Sequence, residues 1–564
     1  MAGTTTQRVL WLCVAASLAL MFARGSAWEY RHDEGTTFDL AVGKVLINEF
    51  IKEWPARPVP IGALYDTIEN RTAYSLWDAV DSVELPYRMF HPPGYYALLH
   101  MWTKVFGTGK LMLRLPSYLF TILTLLALAR IARRVIPGER SALWAAALWG
   151  LSPWVVSITN FARPYHLAMC IGVWATVAIL GMHEGEARKR WRAAFVLLSA
   201  LGLYVIYHYA FVLAWHAGLL LMLSWREGAG KRVKSVVALA ASGAAIVVLF
   251  SPWIRVFRVH MRGSARSGDY FLGAVEPTEW PTRALKSLQD FALADSAWVY
   301  GGGWLRTAVM LLGIGTLVLA VWSFAGPARK ELDGTARTFW ISAALLPLLL
   351  ILSDMLRGSH TIFITKLCFG MVPLFVLLVV RAWTAAPWRL LRVAGLSAWS
   401  IVLVLAVMFV TYADAKHIND NERAAALLAQ ADDGGHLVVL STDIRDFTVP
   451  FLLTLRDEGV KDIFITRCHE PKLDNLVRTV ANAGVFDQMS LVNMKVTHTP
   501  RFMWGEEFLR GIAETVRAEG WTTFWAKDPG WFVGKPPLGR RVASKLREVW
   551  MIGPIQGRFF HGTF

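Results

Sequence analysis

The sequence predicts an α-helical, polytopic membrane protein of about 11 transmembrane helices, followed by a soluble C-terminal α/β domain. Hydrophobic residues make up 55% of the 564 residues and charged residues 18%, against about 45–50% and about 25% in typical soluble domains. Many apolar stretches approach the roughly 20 residues that a helix needs to cross a bilayer. The 26 Trp are typical of a protein with aromatic residues at the membrane interfaces.

The apolar stretches predict spans at about 9–28, 111–134, 141–158, 165–182, 193–207, 210–225, 235–257, 304–325, 338–355, 361–380 and 393–412. The segment 193–225 is divided into two short helices, because it is too long for one span and both its flanks are basic. The first run ends in Gly25-Ser26-Ala27, which resembles a signal-peptidase site. We favour a retained helix over a cleaved signal, because the run is nearly long enough to span.

The net charge of +16 indicates orientation rather than nucleic-acid binding, because most basic clusters lie in short loops between apolar runs. Five of these loops, which alternate with loops of low positive charge, hold Arg130, Arg133, Arg134, Arg140, Arg188, Lys189, Arg190, Arg192, Arg226, Lys231, Arg232, Lys234, Arg329, Lys330, Arg337, Arg381, Arg389 and Arg392. The positive-inside rule places that set in the cytoplasm. The N-terminus is then cytoplasmic and the C-terminus extracytoplasmic, in what we expect to be a bacterial inner membrane.

Three long pieces are therefore expected outside: a first outer loop at 29–110, a second at 258–303, and residues 413–564 after the membrane module of residues 1–412. In the first loop, Phe38 to Ile51 is predicted to be an amphipathic helix, and Gly94 to Phe106 an interfacial helix. In the C-terminal part, strands are predicted at 437–440, 462–466 and 522–525, and helices at 447–457 and 506–518. This alternation favours an α/β domain with parallel strand pairing.

Cysteine usage predicts neither a disulfide framework nor a zinc site, since there are four cysteines without metal-ligand spacing. We expect no cofactor. A divalent metal is not indicated, because the sequence has no DxD triplet of the kind that binds nucleotide sugars.

Two features of the first outer loop are candidates for chemistry. Asp33 and Glu34 follow the first span directly, where a carboxylate lies near the outer headgroups and is able to act as a base. The alternative is an ordinary solvated acidic pair. His91-Pro92-Pro93 is a rigid turn, which either holds His91 toward a site or is only a turn.

Further candidates lie at the same outer face. Arg163, in Asn160-Phe161-Ala162-Arg163-Pro164-Tyr165, runs against the charge bias and presents the planar donor fork that suits phosphate; its alternative is a snorkelling role. His208, in Tyr207-His208-Tyr209, is either a ligand-binding or a structural histidine. Lys366 lies just inside a span, where a cation is costly unless it is paired, faces a cavity or snorkels, and Arg357 precedes it.

These residues resemble those of integral-membrane glycosyltransferases of the C-type fold. The chain is most similar to the protein O-mannosyltransferases and the lipid A aminoarabinose transferases. The resemblance covers roughly residues 28–210 and rests on short motifs in order: Asp33-Glu34, His91-Pro92-Pro93-Gly94-Tyr95-Tyr96, Phe106-Gly107, Arg114-Leu115-Pro116-Ser117, Ser152-Pro153 and Ala162-Arg163-Pro164-Tyr165.

The resemblance implies transfer of a sugar from a polyprenyl-phosphate donor to a glycan, lipid or protein acceptor, with inversion at the anomeric carbon. It implies Asp33 as the catalytic base, with Glu34 beside it. His91, Arg163, Tyr165, His208, Arg357 and Lys366 are then the substrate-binding set. The chain departs from the family pattern at Phe161, where an acidic residue is usual, and at Lys366-Leu367, where Arg-Tyr is common.

Two other functions remain open from the sequence. A transporter or flippase of lipid-linked glycans is one, although no internal repeat is evident. A non-catalytic membrane assembly protein is the other.

Overall fold

The structure is a computed structural model of the 564-residue chain. It describes residues 11, 15, 18, 19, 22, 23, 32–42, 59–62, 65, 75–84, 91–138, 140–183, 188–226, 229–266, 277–279, 282, 302–357, 367–416, 436–440, 452–461, 463–467, 488–494, 523–526, 530–533 and 557–563.

The described helices of seven or more residues are α1 His32–Val42, α2 Leu76–Glu84, α3 Gly94–Phe106, α4 Lys110–Val135, α5 Ser141–Gly150, α6 Pro153–Thr159, α7 Tyr165–His183, α8 Arg188–Val205, α9 Tyr209–Trp225, α10 Ala229–Phe250, α11 Ile254–Arg266, α12 Gly302–Ala325, α13 Gly334–Ala343, α14 Leu345–Arg357, α15 Met371–Thr384 and α16 Arg389–Lys416. Helix α3 matches the predicted interfacial helix in both bounds. The split of 193–225 into two helices is also confirmed.

Six described segments are long and apolar enough to cross a membrane: Lys110–Val135, Tyr165–His183, Arg232–Arg262, Trp304–Ala325, Gly334–Leu356 and Arg389–Met408. The pair α5 and α6, bent by 55°, raises this to seven if it forms one broken span. Helices α9 and α15 are apolar but shorter. The protein is therefore a mostly helical membrane protein, and the total of about 11 spans stays a prediction because much of 9–28 and 361–366 lies outside the described residues.

The strands are β1 Val59–Pro60, β2 His436–Leu440, β3 Ile463–Arg467, β4 Gln488–Met494, β5 Thr523–Ala526, β6 Gly530–Val533 and β7 Gly557–Thr563. They form one sheet in the order β1-β3-β2-β4-β7-β6-β5. Strand β2 pairs in parallel with β3 and β4, as the alternating pattern predicts. The predicted helix at 506–518 lies outside the described residues, so the soluble α/β domain stays a prediction.

The chain divides into two compact units. The membrane unit comprises Met1–Ala27, Val83–Tyr95 and Arg114–Asp414, and the second unit comprises Trp28–Ser82, Tyr96–Leu113 and Ala415–Phe564. The second unit thus combines much of the first outer loop with the C-terminal strands, a grouping that the sequence pattern does not predict.

Contacts within the second unit show how this grouping is held together. Strand β1 pairs antiparallel with β3, with Val59 opposite Ile465. The Arg456 guanidinium donates to the Thr108 hydroxyl at 2.6 Å and to the Thr108 carbonyl at 3.2 Å. The Tyr65 hydroxyl donates to the Val460 carbonyl, and burial raises the pKa of Tyr65, so the phenol keeps the proton that it donates. These bonds join first-loop residues to the C-terminal part of the chain.

Candidate functional site

Helix α1 carries the acidic pair of the first outer loop. Asp33 lies in its first turn, where the helix dipole favours a negative charge; only the backbone of Asp33 is described. Glu34 and Asp39 are each 2% exposed. The His100 Nδ1 atom lies 2.7 Å from the Ala41 carbonyl oxygen, and since a carbonyl only accepts, His100 donates there. Helix α3 therefore holds the end of α1 in place.

The sequence reasoning missed Asp39 and His100. Asp39 falls inside the amphipathic stretch predicted from Phe38, and it is buried. A lone His in the interfacial helix gives no local signal of its own. Only the packing of α3 against α1 identifies it.

The turn His91-Pro92-Pro93 ends at a glycine that is required by close packing. A Cβ atom on Gly94 would lie 2.7 Å from the Tyr204 carbonyl oxygen, well inside contact distance. Pro92 and Pro93 are buried and His91 is half-buried. The turn therefore packs closely on the last turn of α8, which leads directly to Tyr207-His208-Tyr209.

In this second turn, two side-chain hydrogen bonds converge on Tyr207. The Tyr207 hydroxyl accepts from Trp253 Nε1 at 2.9 Å and lies 2.8 Å from His260 Nδ1. His208 is half-buried, with its ring centroid 6.2 Å from that of Phe211. Tyr207 therefore connects this turn to Trp253 and His260.

The segment that carries Arg163 begins with a broken helix. Ser152 caps α6, accepting from the Val155 amide at 3.5 Å, and Pro153 stands at the first helical position, where its missing N–H costs nothing. The 55° bend between α5 and α6 follows from this Ser-Pro pair. Helix α6 ends at Thr159, and the turn 160–164 leads into α7.

Arg163 is held within this turn. It is 4% exposed, and its amide donates to the Phe161 carbonyl at 2.8 Å. The guanidinium carbon lies 5.8 Å from the centroid of the Phe161 ring, within the range of a cation–π interaction. Where an acidic residue is usual in the resembled family, this chain therefore places an aromatic ring. The neighbouring Tyr165, which starts α7, is 2% exposed.

Helix α4 is bonded to the same turn through its polar side chains. The Ser117 hydroxyl donates to the Phe161 carbonyl at 3.4 Å, and the Tyr118 hydroxyl donates to Asn160 Oδ1. Asn160 Nδ2 in turn donates to the Val156 carbonyl at 3.0 Å. The motif Arg114-Leu115-Pro116-Ser117 and the motif around Arg163 are thus neighbours in space.

One turn further into the membrane unit, two threonines and a histidine contact one another within hydrogen-bond distance. Thr121 Oγ1 lies 3.0 Å from Thr159 Oγ1 and 3.2 Å from His166 Nδ1, and Thr159 Oγ1 lies 3.1 Å from His166 Nε2. Each hydroxyl also donates to a carbonyl of its own helix, Thr121 to Ser117 at 2.8 Å and Thr159 to Val155 at 2.5 Å, so the N–H of the His166 ring donates to one of the two hydroxyls. All three side chains are fully buried. We infer that this set locks α4, α6 and α7 together behind Arg163.

For two of the predicted substrate-binding residues, the structure gives no side-chain geometry. Arg357 is the last residue of α14, and only its backbone is described, while Lys366 lies outside the described residues. Asp354, one turn before Arg357, is 1% exposed. The sequence analysis missed this carboxylate, although an acidic side chain inside a spanning helix is costly.

An apolar cavity lies elsewhere in the membrane unit and contains none of the predicted site residues. Gly172, Thr176, Trp215, Phe339 and Gly370 are among its lining residues. Thr176 Oγ1 lies 2.9 Å from His216 Nε2. Within the described part of the chain, no group of three His, Cys, Asp or Glu side chains could hold a metal ion.

The comparison with protein families matches one segment of the chain. Residues 90–255 match the family described as dolichyl-phosphate-mannose-protein mannosyltransferase. The match includes the turn at His91 and the turn at Arg163. The resemblance to membrane-bound glycosyltransferases that the motifs predict is therefore confirmed over this segment.

Solved structures are similar to the chain at low sequence identity. ArnT from Cupriavidus metallidurans bound to undecaprenyl phosphate is 13% identical, with a TM-score of 0.48, over 92% of this chain and 96% of that one. The apo state of the same protein is 12% identical, with a TM-score of 0.49, over 94% and 97%. The Archaeoglobus fulgidus oligosaccharyltransferase in the apo form is 11% identical, with a TM-score of 0.45, over 86% and 69%. No curated protein matches the chain.

Replacing Thr159 by Val should destabilise the membrane unit. The change keeps the shape but removes the hydroxyl that bonds His166 and Thr121, and an unsatisfied buried polar group costs about 1–3 kcal/mol. The thermal unfolding midpoint of the detergent-solubilised protein is the measurement. Thr384→Val is the matched control, because that hydroxyl bonds only carbonyls of its own helix. Equal midpoints for the two variants would show that the set around His166 has no stabilising role.

Proposed function

We propose that this protein transfers a sugar from a polyprenyl-phosphate-linked donor to an acceptor on the non-cytoplasmic face of the membrane. The observation that carries the proposal is the family match over residues 90–255, because its two chief motifs are packed into defined turns of the membrane unit. The family is named for a donor in which a lipid phosphate carries the sugar. A chain whose described residues hold six or seven candidate spans is suited to a donor whose lipid tail stays in the bilayer.

The proposed chemistry needs one base and one leaving group. The Asp33 carboxylate takes the proton of the acceptor nucleophile, which attacks the anomeric carbon from the side opposite the phosphate. The bond between the anomeric carbon and the phosphate oxygen breaks, so polyprenyl phosphate leaves with its electron pair. The sugar is thereby inverted. Glu34, the next residue of helix α1, is buried, and it is proposed as the second acidic residue of the catalytic pair.

The proposed anion-binding residues are basic or polar side chains from several segments. Arg163 is the first of them, because a buried guanidinium is a strong partner for a phosphate. His91, Tyr165 and His208 are proposed to contact the donor or acceptor. Arg357 and Lys366 are kept as proposals from the sequence alone.

The orientation of the chain is proposed from charge. The short loops with many cations are placed in the cytoplasm, so residues 29–110, 258–303 and 413–564 are extracytoplasmic. The C-terminal residues would then shape the access of the acceptor and perform no chemistry themselves.

Asp33→Asn should abolish most sugar transfer. The amide keeps the shape of the side chain but is no base, so the rate should fall by about 10²–10⁴-fold. Release of label from a radiolabelled polyprenyl-phosphate sugar measures it. Asp81→Asn is the matched control, since Asp81 is an exposed carboxylate of the same outer loop, and should transfer normally. Near-normal turnover in Asp33→Asn would remove Asp33 from the mechanism, whereas a wild-type chain that moves the donor across the bilayer without releasing sugar would be a flippase.

Arg163→Lys should weaken donor binding by about tenfold and Arg163→Ala by more. Lysine keeps the charge but loses the planar fork, and a hydrogen bond to a charged group contributes about 1.5–3 kcal/mol. Binding of polyprenyl phosphate to the purified protein is the readout, with Arg190→Ala, an exposed arginine of another loop, as control. If donor affinity is the same in all three variants, Arg163 has only a structural role.

A reporter fused after about residue 420 should report the non-cytoplasmic side. The proposed odd number of spans and the loop charges lead to this placement. An alkaline phosphatase fusion and a cytoplasm-active fluorescent fusion at the same point form the matched pair. Activity of the fluorescent fusion alone would invert the proposed topology.

A further inference from the structure

Helix α11 begins where the preceding span leaves the membrane. Arg232–Arg262 is one helical stretch of 31 residues, about 46 Å long, which exceeds a hydrocarbon core of about 30 Å. The segment between Lys234 and Arg255 contains no charged residue, and its length of 20 residues gives about 30 Å. The apolar part therefore fills the core, and α11 begins in the headgroup layer.

The basic residues of α11 lie on one side of the helix. At about 100° per residue, Arg255, Arg258 and Arg262 fall within an arc of about 60°. All three are exposed. With a rise of about 1.5 Å per residue, the helix carries Arg258 roughly one turn and Arg262 two turns beyond Arg255. The first two therefore lie within the headgroup layer and the third at its outer margin.

The opposite side of α11 is fixed by aromatic contacts to Tyr207. Trp253 and His260 bond the Tyr207 hydroxyl at 2.9 and 2.8 Å. The ring centroids of Phe257 and Tyr207 are 5.0 Å apart, with the rings at 70°, an edge-to-face geometry. Trp253 and His260 are buried. Because this side is anchored, the helix does not rotate freely, and the three arginines stay directed away from the protein.

The charge pattern of the chain does not account for these arginines. In the proposed orientation they follow the outer end of a span, whereas the cations of the short loops gather at the other face. Exposed guanidinium groups at headgroup depth are suited to phosphate oxygens, which they bind through paired donors.

We propose that the surface formed by Arg255, Arg258 and Arg262 binds the headgroups of anionic phospholipids in the surrounding leaflet. Three cations on one helix face favour a lipid with net negative charge over a zwitterionic one. The surface anchors the outer end of this span in the membrane. The proposal does not depend on the sugar-transfer activity, because it concerns lipids of the bilayer rather than the donor.

The test uses the full chain in detergent, titrated with dioctanoyl phosphatidylglycerol or dioctanoyl phosphatidylcholine, and counts bound lipids by native mass spectrometry. The triple variant Arg255→Gln, Arg258→Gln, Arg262→Gln should bind phosphatidylglycerol about 10²-fold more weakly than wild type, since each basic side chain near an anionic surface contributes about fivefold. Phosphatidylcholine binding should not change. The triple variant with Lys at all three positions is the matched control and should retain most of the binding, because it keeps the charge.

Three results would overturn the proposal. The first is a Gln variant that keeps its preference for phosphatidylglycerol. The second is displacement of phosphatidylglycerol by inorganic phosphate at equal concentration, which would show a site for free anions. The third is a Gln variant that loses polyprenyl-phosphate binding but keeps phosphatidylglycerol binding, which would assign the arginines to the donor. Because the three side chains are exposed, a loss of folding is not expected, and an unchanged thermal midpoint checks this.

Discussion

The membrane unit depends on bonding the polar groups of the turn between α6 and α7, which follows the break between α5 and α6. In a bilayer, a free carbonyl or amide has no water to bond, so an interrupted helix survives only where other groups bond it. Helix α4 supplies these groups: Ser117 bonds the Phe161 carbonyl, and Tyr118 bonds Asn160. Trp149 donates to the Thr121 carbonyl at 3.4 Å, which ties the helix before the break to α4 as well. Arg163 owes its place in a rigid, buried turn to this bonding.

Basic residues serve different purposes at different points of the chain. Arg226 bonds the Gly334 carbonyl and the Thr338 hydroxyl, and Arg381 donates to the Ser323 and Ala328 carbonyls at 3.3 and 3.0 Å. Both belong to the loops whose charge predicts the orientation, and in the structure both also bond backbone carbonyls of neighbouring segments. A count of charges alone cannot separate the two roles, nor distinguish either from the exposed arginines of α11.

Hydrogen bonds within the second unit connect the C-terminal part of the chain to helix α1, which carries Asp33 and Glu34. Helix α1 and helix α3 are joined at His100 and Ala41, and the segment after α3 is bonded to Arg456. The turn there needs Gly107, whose φ is +80°, a conformation that costs other residues about 1–2 kcal/mol. Packing of the C-terminal residues therefore constrains the first-loop helices of the same unit. A contribution of the C-terminal residues to the acceptor side of the proposed reaction would pass through these bonds.

Local pattern in the sequence determined much of the fold: the apolar runs that become spans, α3, the α8–α9 pair, and strands β2 and β3. It also determined which motifs to compare with a family. It did not predict β4, β6 or β7, which are short or interrupted by polar and glycine residues, nor the pairing of β1 with β3. Within the candidate site it named Arg163 and His91, whose roles stay predictions, and it did not single out His166 or Tyr207. The physical reason is the same in each case. Hydrophobic periodicity is a property of neighbouring residues, whereas the partners of a buried polar group, such as Thr121 for His166, lie tens of residues away and are decided only when the helices pack.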